Sequence, residues 1–349
     1  MKGAAPGLGP KKVEILSKAG FDDLSKLQDS DFYTICNLPG FGIISTYRLW
    51  EHTGHQIPYQ EMIPFNESIE QPCYIENKEI KPWIQIKKNG ITSLEPQDFK
   101  IEKTTVWSFP ERGSWATHNP KYRGNWPPQL VRNILELYTT EGDVVLDPMI
   151  GGGTTAIECK LLGRNSISVD INPDAIRITN DRMNFQHDSN SYHKSFVGDA
   201  RNLNLIENDS IDCVTIHPPY ANIIHYAPLI NGDLSQFSNY SIFFKEFKKV
   251  IDEIYRVLKP GKKCAVLIGD THNKNHYVPI STRMMIDFLK SGFVIKEDII
   301  KREWNCESDH KLGKYANSDF LLTMHEHLFI FEKPTGNLFK NSSIELLKE

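Results

Sequence analysis

The sequence predicts an α/β fold whose framework is a doubly wound, mostly parallel sheet. Three observations carry that prediction. From residue 128 onward, short apolar runs alternate with longer stretches of helical periodicity. Glycine, proline, asparagine and aspartate punctuate the boundaries between them. The last two runs, 294–300 and 327–331, read as a closing antiparallel pair. Alternation of this kind folds as a parallel sheet, because a strand that runs in the same direction as its neighbour needs a crossover to return.

At 349 residues the chain can hold one large α/β domain and a small accessory one. Hydrophobic content of 40% and charged content of 24% are ordinary for a globular protein, and no apolar run is long enough to span a bilayer. Met1-Lys2-Gly3-Ala4-Ala5-Pro6-Gly7 lacks the apolar core of a signal peptide. The six cysteines are scattered without a C-x-x-C pair, which points to reduced thiols in a cytoplasm rather than a disulfide frame or a zinc cage. A net charge of −4 requires any basic surface for nucleic acid to be local.

Taken in order, residues 1–53 read as a small helical domain of short helices divided by glycine turns. Pro6-Gly7-Leu8-Gly9 leads into Val13, Ile15 and Leu16; Leu38-Pro39-Gly40-Phe41-Gly42 leads into Ile43, Ile44, Tyr47 and Leu49. The pair resembles a helix-hairpin-helix module, whose Gly-x-Gly turns offer backbone N–H groups to a DNA phosphate. That resemblance makes Gly7, Gly9, Gly40 and Gly42 candidate DNA contacts. Two capping turns in a small bundle are the alternative. Residues 54–103, broken by Pro58, Pro64, Pro72, Pro82 and Pro96, read as a linker with short β-structure, Trp83–Ile86 alternating like a strand. Residues 100–132 form the clearest basic stretch: Lys100, Lys103, Arg112, Lys121, Arg123 and Arg132 against Glu102 and Glu111.

A large domain over 104–335 follows, with 336–349 as a tail. Leu130, Val131, Ile134, Leu135 and Leu137 form a helical stripe, Val144–Leu146 a buried strand and Gly151–Gly153 a loop. Thr155–Leu162 is a helix, Ile167–Val169 a strand, and Pro173 opens a further helix. Cys213–Ile216 is a strand; Phe243, Phe247, Val250, Ile251, Ile254 and Leu258 share one helix face, with Pro260-Gly261 as the stop. Cys264–Ile268 is a central strand and Ile280–Leu289 a helix.

Ligands of such sheets bind at the carboxyl ends of the strands. Asp147-Pro148-Met149-Ile150-Gly151-Gly152-Gly153-Thr154-Thr155 is a strand end that turns through glycines into a helix, and Asp170 ends the next strand about 20 residues on. Those residues suit an adenosine-bearing ligand and leave NAD, S-adenosylmethionine or a phosphate open. His217-Pro218-Pro219-Tyr220 closes a third strand: two prolines stiffen the backbone and remove N–H donors, and the tyrosine offers a flat face.

The glycine loop and this tetrapeptide together resemble the DNA amino-methyltransferases, the N6-adenine and N4-cytosine enzymes, over roughly residues 104–333. Their order resembles the gamma arrangement. The resemblance implies a seven-stranded S-adenosylmethionine-dependent methyltransferase sheet with a final antiparallel strand. It also implies double-stranded DNA as partner and His217, Pro218, Pro219 and Tyr220 as the catalytic group. By the same resemblance Trp107, Tyr122, Arg123 and Asn125, then Asp147, Pro148, Met149, Gly151, Gly153 and Thr154, would hold S-adenosyl-L-methionine. Asp170 would take its ribose and Asp199 its adenine, although Asp199 also reads as a helix cap. Lys121, His225, Tyr226, Lys311 and Lys314 are candidate DNA contacts, an ordinary surface loop being the alternative for the last four.

The tetrapeptide departs from the family pattern, since His217 stands where Asp, Asn or Ser is usual. Neutral imidazole can accept one hydrogen bond from the target amine and the Pro218 carbonyl the other. Activity is then expected to fall as His217 protonates below its ordinary value of about 6.5. His325-Glu326-His327 puts two histidines on one strand face without a third ligand, so no metal is expected. Lys245, Lys248 and Lys249 read as a solvated helix face. An RNA amino-methyltransferase and a catalytically silent DNA-binding protein are the rival readings. A partner restriction endonuclease, and a monomer or homodimer, accompany the first.

Overall fold

The computed structural model describes residues 9–23, 26–27, 30, 34–35, 37–41, 45–46, 49–50, 59–65, 90–122, 124–220, 232–237, 239–273, 275–304 and 319–336. Its strands are β1 (Ile63–Pro64), β2 (Val106–Ser108), β3 (Val144–Asp147), β4 (Asn165–Asp170), β5 (His193–Val197), β6 (Ile211–Ile216), β7 (Leu258–Ile268), β8 (Thr271–Asn273), β9 (His276–Val278), β10 (Val294–Arg302) and β11 (His325–Glu332). The α-helices whose bounds fall within the described residues are α1 (Pro10–Lys18), α2 (Pro128–Tyr138), α3 (Thr154–Leu161), α4 (Pro173–Met183), α5 (Tyr240–Val257) and α6 (Ile280–Lys290).

Nine strands join in one sheet in the order β1-β5-β4-β3-β6-β7-β11-β10-β2. The seven central strands are the doubly wound set expected from the sequence: β5, β4, β3, β6 and β7 pair in parallel, and β11 inserts antiparallel between β7 and β10. Two short edges extend it, β1 antiparallel on β5 and β2 parallel on β10. The order reverses between β3 and β6, and such a switch point opens a crevice at the carboxyl ends of the strands.

The period of two along each central strand divides the core into two layers. Leu146, Val214, Ile216, Val266, Ile268, Phe329 and Phe331 face α5 and α6, where Phe243, Phe247, Ile251, Met284 and Phe288 meet them. Val145, Cys213, Ala265, Leu267, Leu328 and Ile330 face the other way, onto Leu130, Val131, Ile134 and Leu135 of α2. Cys159, Cys213 and Cys264 are buried thiols whose burial pushes them up, so they stay protonated. The first layer also contains Leu16, Leu27, Ile35, Leu49 and Trp50, so the N-terminal segment shares this core.

Local signals set the helix ends. Pro10, Pro128 and Pro173 each occupy the first turn of a helix, where a missing N–H costs nothing. Asn172 and Asn239 cap α4 and α5 through their side-chain oxygens. One boundary differs from expectation. Pro260-Gly261 does not stop α5, which ends at Val257; both residues lie inside β7, whose Leu258 already pairs with Ile211. Strand pairing took over before the proline was reached. The Trp83–Ile86 alternation lies outside the described residues.

Candidate active site

The carboxyl ends of β3, β4 and β6 open into a cleft of about 770 Å³ including its mouth. The glycine loop (Pro148 to Gly152) forms one wall, and Asp170, Ile171 and Asn172 continue it. Tyr122, Gly124, Asn125 and Trp126 cover a second side. His217 and Pro219 enter from β6, and Asp199, Ala200, Gly232, Asp233 and Leu234 complete the lining.

Close packing explains the glycines. A Cβ on Gly151 would lie 2.9 Å from the Tyr122 ring. On Gly152 it would lie 2.8 Å from the Arg182 guanidinium and 3.1 Å from Asn125. Gly153 adopts φ +83° as the N-cap of α3. Thr154 then donates its hydroxyl to Asn125 Oδ1 at 2.6 Å, which ties the covering segment to the loop.

The two strand-end aspartates divide the work. Asp147 lies beneath the loop: Oδ2 accepts the Thr155 hydroxyl at 2.6 Å and Oδ1 the Met149 N–H at 3.1 Å. Asp170 faces the cleft while Oδ2 accepts the Gly151 N–H and Oδ1 the Asn172 N–H, both at 2.9 Å. Burial pushes Asp147 up to about 7 and Asp170 up to about 6. Asp199 is clasped by Arg201, whose guanidinium also donates to Glu246 and to the Gly232 carbonyl, each at 2.6 Å. Asp199 also accepts the Arg201 backbone N–H at 2.9 Å in a turn; no helix begins there, so it caps none.

His217 lies with its ring centroid 5.7 Å from that of Trp126. Its Nε2 is 2.8 Å from the Tyr220 hydroxyl oxygen. Burial holds the imidazole below its ordinary value, against the opposing influence of Glu326 and of a hydrogen bond to the Gly124 backbone. Protonation therefore comes at lower pH than the unperturbed residue would give. Nε2 is thus engaged with the tyrosine.

Of the residues singled out in the sequence, Tyr122, Asn125, Pro148, Met149, Gly151, Asp170, Asp199, His217 and Pro219 line this one cleft. Asp147, Gly153 and Thr154 support it from behind, and Tyr220 packs over Gly269 beside it. Trp107 is not brought there. It is buried on edge strand β2 in the α2-side layer, with its indole N–H donated to the Thr104 carbonyl at 2.7 Å. Lys121 is exposed, next to Tyr122; Gly9 and Gly40 are exposed in the N-terminal segment. Gly7, Gly42, Arg123, His225, Tyr226, Lys311 and Lys314 lie outside the described residues.

The basic stretch is not a basic surface throughout. Arg132 is buried, paired with Glu158 at 2.8 Å and with Glu95 at 2.5 Å. Arg112 donates to the carbonyls of Asn125 at 2.9 Å and Trp126 at 2.6 Å. Its cations brace the covering segment, and a count of lysines and arginines cannot tell such cations from surface ones. On α5, Lys248 pairs with the exposed Asp252, in keeping with a solvated face, whereas Lys249 reaches the buried Glu246 and packs on Tyr59. The sequence places Asp233 in a candidate DNA-contact turn rather than on the cleft wall, and it misses the Lys301–Glu326 pair behind the tetrapeptide, at 2.7 Å. Among the described residues no group of three His, Cys, Asp or Glu is placed to hold a metal, and no helix is long and apolar enough to cross a membrane.

The family model described as DNA methylase, for the N6/N4 enzymes, matches residues 45–181 and 211–348. The chain belongs to the N6/N4 DNA methylase family. The type II methyltransferase M.MjaI of Methanocaldococcus jannaschii is 29% identical over 184 residues, covering 44% of this chain and 59% of that protein. M2.DpnII, a type II methyltransferase of Streptococcus pneumoniae, is 34% identical over 76 residues, covering 22% and 27%. M.MjaII of M. jannaschii, also a type II methyltransferase, is 44% identical over 52 residues, covering 15% and 10%. The matched stretches thus span between 10% and 59% of these three relatives' lengths. Among solved structures, a SAM-dependent methyltransferase from Methanosarcina mazei gives a TM-score of 0.40 at 15% identity, covering 58% of this chain and 97% of that one. The fold assignment rests on the strand order itself.

Proposed function

We propose that this protein is an S-adenosylmethionine-dependent DNA methyltransferase. It would methylate the exocyclic amino group of a flipped base, adenine N6 or cytosine N4, as the modification part of a restriction–modification or related DNA-marking system. The observation that carries the reading is that the glycine loop and the His217-Pro218-Pro219-Tyr220 turn open into one cleft. A methyl donor on the first and an amine on the second would meet there.

The lining favours this donor over the other ligands that a glycine loop admits. Asp170 and Asp233 face the cleft, and Asp199 faces it paired with Arg201. Such a wall attracts a sulfonium and an ammonium and repels a pyrophosphate. Bound S-adenosylmethionine supplies an electrophilic methyl group on that sulfonium. Asp170 accepts ribose hydroxyls through its remaining lone pairs, and Asp199, fixed by Arg201, faces the adenine end. Gly151 and Gly152 admit close backbone approach, and Tyr122, Asn125 and Trp126 exclude water from above.

At the other wall, the Pro218 carbonyl accepts a hydrogen bond from the target amine. That draws electron density back to a nitrogen whose lone pair is otherwise shared with the ring. Tyr220 stacks on the extruded base; extrusion costs a few kcal/mol and stacking returns about 1–3 kcal/mol. In this reading residues 1–53 are the DNA-holding segment, gripping phosphates through Gly7, Gly9, Gly40 and Gly42. Residues 54–103 are the linker, 104–335 the catalytic domain and 336–349 a tail. Lys121, His225, Tyr226, Lys311 and Lys314 contact the duplex around the flipped base. The protein acts in the cytoplasm as a monomer or homodimer, beside a cognate endonuclease.

Transfer of tritiated methyl groups to duplex DNA, compared with bulk tRNA, tests the reading. Label in DNA is the expected result, and single-molecule sequencing of DNA from expressing cells then reads base and site. Label in tRNA alone would assign RNA as substrate. Donor binding without transfer to either would identify a silent DNA-binding protein.

A further inference from the structure

Glu326 is the middle residue of His325-Glu326-His327 and points to the opposite face of β11 from its histidines. It is 7% exposed. Lys301, on neighbouring β10, donates to its Oε2 at 2.7 Å. The Tyr220 hydroxyl donates to its Oε1, which lies 3.8 Å from His217 Nε2. His217 Nε2 is in turn 2.8 Å from the Tyr220 oxygen. Gly269 leaves the passage open: a Cβ there would lie 2.9 Å from Tyr220 Cε2 and 3.5 Å from Glu326 Cγ. The carboxylate thus reaches, across the end of β7, the turn that closes β6.

A buried ion pair is a weak source of stability, because desolvation offsets most of its attraction. This pair needs another explanation, and the tetrapeptide supplies one. Its first position lacks the acid or amide usual in the family. We propose that Glu326, neutralised by Lys301, is a positioning residue for the His217–Tyr220 turn. Its carboxylate takes the tyrosine proton as a hydrogen bond and leaves the phenol oxygen to receive the His217 Nε2–H, in competition with the Gly124 backbone for the one proton of the neutral ring. One carboxylate on a distant strand so fixes both the ring that stacks on the base and the tautomer of the histidine beside it. The role of the turn itself rests on the functional reading above. The charged and titratable groups around His217 are Tyr220 on its own turn, Glu326 on β11 and Lys301 on β10, with Glu303 3.9 Å from Lys301. The covering segment contributes Trp126 and the Gly124 backbone.

Glu326→Gln, Tyr220→Phe and the double variant test it in the full-length protein. Each single change should lower kcat on DNA about tenfold or more, the loss expected for a hydrogen bond to a charged group. Affinity for S-adenosylmethionine, measured by calorimetry, should stay within about twofold, and the double variant should be no slower than the slower single one. Unaltered kcat in Glu326→Gln, or losses that multiply, overturns the proposal. A second readout needs no methyl transfer. Nitrogen NMR of the His217 imidazole should show the Nε2–H tautomer in the wild type. In Glu326→Gln its titration should move to lower pH, since the carboxylate favours the imidazolium. Tyr220→Phe, which keeps the ring and cuts the link, should abolish the tautomer preference and serves if Glu326→Gln does not fold. An unmoved titration and tautomer in the variant that folds overturn the proposal, even where wild-type protein methylates no nucleic acid and only the functional reading fails.

Discussion

At the ends of β3 and β4, Asp147 and Asp170 are both pushed up, to about 7 and about 6, because burial desolvates each carboxylate and a neighbouring aspartate adds to the effect. Both folded values exceed the unfolded one of about 3.9, so the folded chain binds more protons between about pH 4 and 7, and these two groups add stability as pH falls through that window. Ligand binding has the opposite sign. Asp170 accepts ribose hydroxyls more strongly as a carboxylate than as the neutral acid, so affinity for S-adenosylmethionine should weaken below about pH 6, by at most about tenfold per unit. Calorimetry from about pH 8 to about pH 5 checks this. Asp170→Ala should bind weakly throughout and lose the dependence; parallel profiles for variant and wild type would refute the assignment.

One scale up, α3 depends on its entry. Gly153 sits at φ +83°, and a Cβ there would lie 3.0 Å from the Thr179 hydroxyl and 3.1 Å from the Thr179 Cα. Gly153→Ala combines a strained backbone with a contact that backbone atoms cannot relieve, at a cost of about 1–3 kcal/mol. A fall in Tm by several degrees together with weakened ligand binding is expected in a thermal-shift titration. The central strands and helices were legible because their periods of two and 3.6 survive in the residues themselves, as in Val144–Leu146 and Phe243–Ile254. The glycine loop and the tetrapeptide were legible for a related reason, since each is contiguous and ends a strand. What the sequence hid is carried by distance. Nothing near Tyr220 in the chain points to Glu326, 106 residues away, and nothing in the composition of 100–132 says that Arg132 turns inward to Glu158. The edge strands β1 and β2 have two and three residues, too few for any period to register.

For the molecule as a whole, the N-terminal segment is more than an appended arm. Leu16, Leu27, Ile35, Leu49 and Trp50 are each 3% exposed or less and belong to the same apolar cluster as Phe243 and Phe331. Each such side chain contributes about 1.5–3 kcal/mol as an upper estimate. Removal of residues 1–50 should therefore lower Tm markedly and promote aggregation. An unchanged Tm would instead identify an independent module.

The acid-walled cleft has a consequence for turnover. Asp170 and Asp233, with Asp199 already paired to Arg201, bias the described lining toward negative potential, and that potential discriminates between the molecule that enters and the one that leaves. Under the proposed reaction, methyl transfer turns a sulfonium into an uncharged thioether, and the wall loses one of the two positive charges it was attracting. The grip slackens at the moment the reaction is over, so the spent cofactor has less reason to stay and inhibit the next cycle. The same potential keeps a polyanionic duplex away from the cofactor floor and leaves entry to an uncharged base alone.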